Sequence, residues 1–401
     1  MHIVLLPIEP LEERYSKQWL DWTLDYFNSS GHYGNLYHND FTYDVLLPES
    51  YGSIKNGQFL DCIQTNAFKA KQLQMAIDWI SKQDESVLRN PQTVFLLHDG
   101  WFPGIEMLAY IRSAMGYSFR IAACLHAGTW DTHDFTFRSG MNVWARGIET
   151  SWMAIYDHIF VATEFHKTLM QQSGVFTNPL AAPISVTGFP IFSPAQLELA
   201  FPKAVKKDLV VFPHRIAPEK RTALFETLAE RASKIPGLRH FSFVQTKEAC
   251  TSDNPKIAKE QYYDLLRSAR YAVSFATQET WGIAMQESVM CGCIPIVPDR
   301  LSYREMYPPC FRIPDSPTLD DEVEQMLIRM VRLEGLREYA EEKCASLRGI
   351  FNVKGFFALP NMLADLESHN SFSRSHSVYA PEVAKMECPT SVFDQEFKNL
   401  L

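Results

Sequence analysis

The chain predicts an α/β protein in which two doubly wound parallel sheets face a central cleft. Its 401 residues exceed what one ordinary hydrophobic core accommodates, so two domains of about 200 residues are expected. Short apolar runs alternate with stretches of helical periodicity. That is the pattern of strand–helix–strand units in a parallel sheet covered on both faces. The alternation pauses once, from Gly188-Phe189-Pro190-Ile191-Phe192-Ser193-Pro194 to Lys207, where glycine, prolines and then lysines read as a linker. The expected division is therefore 1–190, a linker at 191–207, 208–350, and a closing helix with a polar tail over 351–401.

In the first half, strands are expected at His2–Pro7, Tyr43–Leu47, Thr93–Leu97, Phe119–Leu125, His158–Ala162 and Ile184–Thr187, each a short apolar run. Helical spacing falls at Tyr15–Asn28, Asn66–Lys82, Ile105–Met115, Arg146–Ala154 and Glu164–Ser173. The second half reads as strand 208–212, helix from about Lys220 to Lys234, strand His240–Gln245, helix Lys259–Arg267 and strand Tyr271–Phe275. Strand Ile294–Val297 and helices Asp320–Leu333 and Arg337 to about Ile350 follow. An amphipathic stretch, Phe356–Leu366, is expected to pack back across the first domain. The serine-rich sequence from Ser368 reads as extended, with a short helix available at Phe393–Leu401.

Hydrophobic residues at 46% and charged residues at 21% describe an ordinary globular chain. A net charge of −9 (38 minus 47) argues against a protein that coats nucleic acid non-specifically. It leaves room for a local basic groove, for which Arg112, Arg120, Arg138 and Arg146 are available. The eight cysteines show no paired zinc-ligand spacing, and Cys291-Gly292-Cys293 reads as core packing, so no metal site is expected. The chain starts directly with a strand, without a basic leader, and has no uninterrupted run of about 18 apolar residues. A soluble, cytoplasmic protein with no membrane span is the expectation.

The chemistry concentrates after the strand Tyr271–Phe275. Glu279-Thr280-Trp281-Gly282-Ile283-Ala284-Met285-Gln286-Glu287 places two carboxylates eight positions apart around a glycine turn that opens a helix, expected to begin near Thr280, and Cys291-Gly292 ends it. Helix N-termini offer unpaired N–H groups and partial positive charge to a phosphate. Two acids beside an anion site must each hold something else on the same ligand, such as hydroxyl groups. A nucleotide-sugar has both. Upstream, Arg215 and Lys220 flank a proline-containing turn after strand 208–212, and two fixed cations there would neutralise a diphosphate. A glutamate pair or an Arg-x4-Lys pair alone is more often a solvated surface feature.

The conjunction Arg215-Ile216-x3-Lys220, Tyr262-Tyr263-x-Leu265-Leu266-x2-Ala269, Glu279-x7-Glu287 and Cys291-Gly292 resembles the donor half of retaining GT-B glycosyltransferases of the family 4 type. The resemblance covers roughly 208–298 by motif and the first domain by architecture. It implies a metal-independent, retaining transferase that moves a hexosyl or pentosyl group from a UDP- or GDP-linked sugar to an acceptor hydroxyl. The nucleotide-sugar is a co-substrate, and no cofactor is implied. Arg215 and Lys220 would bind the diphosphate, Glu279 the transferred sugar and Glu287 the ribose. Backbone N–H groups of Thr280, Trp281, Gly282 and Ile283 would meet phosphate, and the leaving phosphate would take the acceptor proton. The resemblance makes 208–350 the donor domain and 1–190 the acceptor domain, and family members commonly carry a histidine near the reacting sugar where this chain has His126.

The first domain departs from that family. Where relatives carry paired glycines, this chain reads Pro7-Ile8-Glu9-Pro10-Leu11-Glu12-Glu13-Arg14-Tyr15. Either Glu9, Arg14 and Tyr15 contact the acceptor or the segment is a helix-entry loop with internal ion pairs. His126, Asp99 and Trp101 follow strand ends and are candidate contacts; Trp130 and Trp144 offer stacking surface or core packing. Sugar, glycolipid, protein and modified DNA all remain open as acceptors. The Glu9–Tyr15 loop is faintly similar to bacteriophage glycosyltransferases, some of which modify hydroxylated DNA bases. A nucleotide-sugar epimerase and a non-catalytic nucleotide-sugar-binding protein are the alternatives.

Overall fold

The computed structural model describes residues 1–12, 14–29, 41–49, 61–177, 181–190, 205–250 and 255–368. Most of the expected linker, the loop 251–254 and the tail with its terminal helix lie outside the described residues.

The first sheet contains β1 (His2–Leu6), β2 (Thr42–Val45), β3 (Thr93–Leu97), β4 (Arg120–Cys124), β5 (His158–Val161) and β6 (Ile184–Val186), all parallel, in the order β2-β1-β3-β4-β5-β6. Each overlaps an expected strand. β3 is buried throughout, and β1 and β4 are buried beyond their first residue, which explains their continuous apolar runs: helices cover both faces. Val4, Leu6, Phe95, Leu97, Ile121 and Ala123 point to one face and join one apolar cluster; their alternates Ile3, Leu5, Val94, Leu96, Ala122 and Cys124 join another.

The second sheet contains β7 (Lys207–Phe212), β8 (Ser242–Gln245), β9 (Ala269–Val273), β10 (Ile294–Pro298) and β11 (Arg312–Ile313), again parallel, in the order β11-β10-β9-β7-β8. β11 was not expected, because two residues carry no readable period. In both sheets the strand order reverses direction, between β1 and β3 in the first and between β7 and β9 in the second. Such switch points open crevices at the carboxyl ends of the strands.

Helix starts follow their caps. Cys62–Lys82 begins four residues before the expected Asn66, because the Asp61 carboxylate accepts the N–H groups of Ile63 and Gln64, both at 3.0 Å. At the other end, the expected break near Ile350 does not occur: one helix runs Arg337–Ser368. Ala340, Cys344, Leu347 and Phe351 form a buried stripe at helical spacing that resumes at Leu359, Met362, Leu363 and Leu366. Phe351 therefore continues the stripe, and Pro360 inside it removes a single backbone donor. The Cys344 thiol lies 3.1 Å from the Cys293 carbonyl in the second domain, and Met362 packs 4.0 Å from Cys124 of β4. The helix crosses from the second sheet to the first, as expected for Phe356–Leu366. No described helix is long and apolar enough to cross a membrane.

Candidate active site

The second switch point is where Arg215, Lys220 and the Glu279–Glu287 motif sit. From β7 the chain runs through Pro213-His214-Arg215 into a 3-10 turn, Pro218–Lys220, and the Thr222–Ala232 helix starts only after Arg221. Lys220 is 6% exposed. Its ammonium donates to Glu279 Oε2 at 3.0 Å and to the Gln278 carbonyl at 2.7 Å. Glu279 Oε1 accepts the Gly282 N–H at 2.8 Å. The motif thus closes on itself: the cation after β7 and the turn after β9 share one carboxylate.

The helix expected to begin near Thr280 begins at Ile283, with Gly282 as its left-handed cap (φ +68°). Glu279 takes the Gly282 N–H, and the chain turns left-handed before it winds. A Cβ at Gly282 would lie 3.3 Å from the Tyr303 ring and 3.4 Å from Glu279 Cγ, so glycine is required for both space and backbone. Thr280 faces the other domain: its carbonyl accepts from Thr163 Oγ1 at 2.9 Å, and its hydroxyl donates to the His126 carbonyl at 3.1 Å. Trp281 is buried, its ring 6.4 Å from that of Phe189.

Arg215 pairs with Glu219, and Arg138 of the first domain holds the other Glu219 oxygen at 2.9 Å. Glu219 is the member of this group that sequence reasoning missed. Its position four residues after Arg215, on the same short turn, was the available signal. Burial depresses the Arg215 pKa; Glu219 opposes that, and the like charge of Arg14 adds to it. Below, His214 Nε2 lies 2.8 Å from Ser274 Oγ, itself 2.9 Å from Tyr303 Oη. Burial first, then the charges of Lys220 and Arg215, hold the His214 pKa well below the ordinary histidine range.

Glu287 occupies a different environment. Its carboxylate accepts from Tyr262 Oη at 2.8 Å and Tyr263 Oη at 2.6 Å, with Lys259 Nζ at 3.4 Å, and its side chain is 4% exposed. Lys259 also lies 5.1 Å from both tyrosine ring centroids. Gln18 reaches across from the first domain to Tyr263 Oη at 2.8 Å.

The first switch point forms the facing wall. The Tyr15–Ser29 helix sets Tyr15 and Trp19 against His126, with ring centroids 6.0 and 4.9 Å apart, and Phe189 lies 4.7 Å from the His126 ring. His126 Nε2 donates to the His98 carbonyl at 2.6 Å. Burial lowers the His126 pKa, and the neighbouring Asp99 and the His98 bond offset this in part. Burial would raise the Asp99 carboxyl, but the Lys69 charge at 2.7 Å, with His126 and the Trp101 N–H, holds it below its ordinary value. Burial, partly opposed by Arg14, pushes the Tyr15 hydroxyl up to about 12, with Asp99 and Glu279 adding to the rise. Tyr15 thus lies within the field of both walls.

The other candidate contacts differ in burial and partners. Glu9 is 5% exposed and accepts from Thr65 Oγ1 at 3.1 Å, and Ser16 bonds its carbonyl. These bonds suit a helix-entry loop. The Arg14 guanidinium lies 5.9 Å from the Tyr15 ring centroid. Trp130 is 3% exposed, its indole donating to His166 Nε2 at 3.2 Å, so its ring fills the domain interior. Trp101 is half-buried and donates to Glu149 at 3.0 Å, while Trp144 is 54% exposed on the Asn142–Ile155 helix. The four arginines do not line a groove. Arg112 pairs with Asp157, Arg120 starts β4 at the end opposite the cleft, Arg146 bonds the carbonyls of Thr129 and Ser173, and Arg138 bonds Glu219.

No family model matches the chain. A 52-residue stretch is 40% identical to the tRNA-queuosine alpha-mannosyltransferase of Drosophila melanogaster, but it spans only 13% of this chain and 14% of that protein. Among solved structures, sucrose-phosphate synthase from Thermosynechococcus elongatus matches 92% of this chain and 100% of its own at 11% identity, with a TM-score of 0.57. The fold is GT-B. Anabaena Alr3699/HepE in complex with UDP matches 93% of this chain and 100% of its own, at 12% identity and a TM-score of 0.52. The pneumococcal O-GlcNAc transferase GtfA, in complex with UDP and GlcNAc, matches 76% of this chain at 13% identity and a TM-score of 0.51; the match spans 61% of that protein. The expected architecture of two Rossmann-like domains around a cleft is therefore the observed one.

Proposed function

We propose that the protein is a glycosyltransferase that moves a sugar from a nucleoside-diphosphate donor to an acceptor hydroxyl. The observation that carries this reading is the Lys220–Glu279–Gly282 cluster at the switch point between β7 and β9, with Arg215 beside it. In the proposed reaction the glycosidic bond breaks toward an oxocarbenium-like state, and negative charge grows on the leaving diphosphate. Lys220, Arg215 and the amino end of the Ile283–Met290 helix stabilise that charge, the preorganised electrostatic effect that usually dominates such catalysis. Glu279 turns from Lys220 to the sugar hydroxyls. Anomeric configuration is kept, the departing phosphate accepts the acceptor proton, and no metal takes part. Glu287, fixed by Tyr262 and Tyr263, is placed to meet the ribose.

The GT-B neighbours that hold UDP support a UDP-linked donor, and GDP is the alternative. For the acceptor, the stretch similar to a tRNA-queuosine mannosyltransferase favours a hydroxylated nucleoside in RNA. A hydroxylated DNA base is the second candidate; the committed arginines and the net charge of −9 weigh against a broad basic groove for either polymer. The test is incubation with a panel of nucleotide-sugars and with sugars, tRNA and hydroxymethylated DNA, following nucleotide release and glycoside formation by mass spectrometry. One donor–acceptor pair should give a glycoside whose anomeric proton shows retained configuration. Donor converted to an epimer without an acceptor, or donor bound and never consumed, would replace this reading with one of the two alternatives.

A further inference from the structure

A second pocket, of about 480 Å³, lies beside the donor corner at the carboxyl ends of β10 and β11. Arg221, Thr277, Arg300, Asp315 and Glu322 come to it from the second domain, and His133 faces them from the first. Two features mark it as built. Arg221 (φ +55°) and Leu301 (φ +58°) are the two non-glycine residues with left-handed backbone among the described residues, and both line this pocket. Left-handed backbone is strained for residues with a Cβ, and such strain gathers at ligand sites. In addition, Glu322, 2% exposed, accepts from Arg221 at 2.9 Å and from Arg300 at 2.6 Å, while Arg300 also reaches Asp315 at 3.1 Å. This network fixes both guanidinium groups at the pocket wall.

The chemistry of the walls narrows the ligand. Arg221 and Arg300 face Glu322 and Asp315, so two positive and two negative charges cancel at the wall and give an anion no net attraction. Each Glu322 oxygen is taken by a guanidinium, which disfavours a cation. Apart from His133, no lining residue supplies an aromatic ring on which a base could stack. Adjacent hydroxyls suit such a wall, because each can donate to a carboxylate and accept from a guanidinium without separating the pair. We propose that this pocket binds a neutral vicinal diol, as found on a sugar or cyclitol ring, separately from the donor corner. Arg300 also bonds the carbonyls of Phe275 and Ala276 at 3.1 and 3.0 Å, three residues or more before Glu279 on the same turn, so an occupant there stiffens the turn that carries Glu279.

The experiment uses the full chain and saturation-transfer NMR with mannose, glucose, ribose and myo-inositol, against cyclohexanol and inorganic phosphate as controls. At least one polyol should bind at millimolar concentration in the presence of saturating UDP. Arg221→Gly, which relieves the strained backbone while deleting the guanidinium, should weaken binding at least tenfold, and Asp315→Asn severalfold. Because Asp315 is largely exposed, that second variant keeps the test informative if Arg221→Gly fails to fold. Supplying a nucleotide-sugar then separates the sources of the diol: a new glycoside identifies the occupant as acceptor, and an altered donor-hydrolysis rate without glycoside identifies an effector. Absence of polyol binding, binding unchanged in both variants, or phosphate binding that both variants abolish would overturn the proposal. None of these outcomes bears on UDP binding at Lys220, which tests the transferase reading by itself.

Discussion

The two switch points face each other across the cleft and are filled by different chemistry. Between β7 and β9, Lys220, Glu279, Arg215 and Glu219 form ion pairs on short turns. Between β1 and β3, Tyr15, Trp19, His98, His126 and Phe189 stack into one aromatic group, and Asp99 is held by Lys69 at its margin. Ion pairs can be exchanged for a ligand's charges and hydroxyls with little movement. A packed aromatic wall instead has a fixed shape. The same topology thus yields one wall of exchangeable ion pairs and one of fixed aromatic shape opposite it.

Breaking the charged wall should have the largest effect. Lys220→Ala and Glu279→Ala are each expected to lower transfer by about 100- to 1,000-fold, the usual consequence of losing a transition-state charge partner. Circular dichroism should show an intact fold, and near-normal turnover in both would remove this wall from catalysis. The buried Glu287 comes next. Glu287→Gln replaces two charge-assisted hydrogen bonds with neutral ones and should cost about 1.5–3 kcal/mol in urea denaturation. An unchanged midpoint would mean that the tyrosine clamp adds nothing to stability.

The aromatic wall is sharpened by pH. Burial, with the like charge of His126, holds both His98 and His166 at about 3, below the ordinary 6.5. They bind fewer protons folded than unfolded, so their contribution is present above about pH 6.5 and lost as pH falls toward 3. At pH 5 each should cost roughly 2 kcal/mol. His98→Asn should flatten the pH dependence of urea unfolding, followed by tryptophan fluorescence; an identical slope would show that His98 is not held neutral. The smallest effect is expected between the walls. Arg138→Ala removes a half-exposed partner of Glu219 and should cost under about 1 kcal/mol of stability. It should still raise the donor KM a few-fold by loosening the contact between the two domains beside Arg215, and an unchanged KM would make the pair incidental.

What could be read from residues divides along the same line. Buried strands such as β3 and β10 were legible because buried parallel strands are short apolar runs, which two-residue β11 is too short to show. The meeting of Lys220 with Glu279 was legible because both lie on short turns after strands, where order along the chain nearly fixes position in space. The helix start at Ile283 was not, since it depends on the Glu279 carboxylate folding back on Gly282. The facing wall was poorly legible. Trp130 and Trp101 are alike as isolated tryptophans, and only tertiary packing sends one into the interior and leaves the other half-buried. Arg138 was named for a basic groove and instead holds Glu219, 81 residues away, a contact no local spacing announces.

The most direct test of the central claim is a thermal-shift titration of the wild type and Lys220→Ala with UDP, GDP, ADP and their common sugar conjugates. Specific binding stabilises the folded state by mass action, about 2.7 kcal/mol at a ligand concentration 100 times Kd. At least one nucleoside diphosphate should raise the wild-type midpoint by several degrees and leave Lys220→Ala nearly unmoved. No shift with any nucleotide, or an equal shift in both proteins, would contradict the assignment of the β7–β9 corner as the donor site.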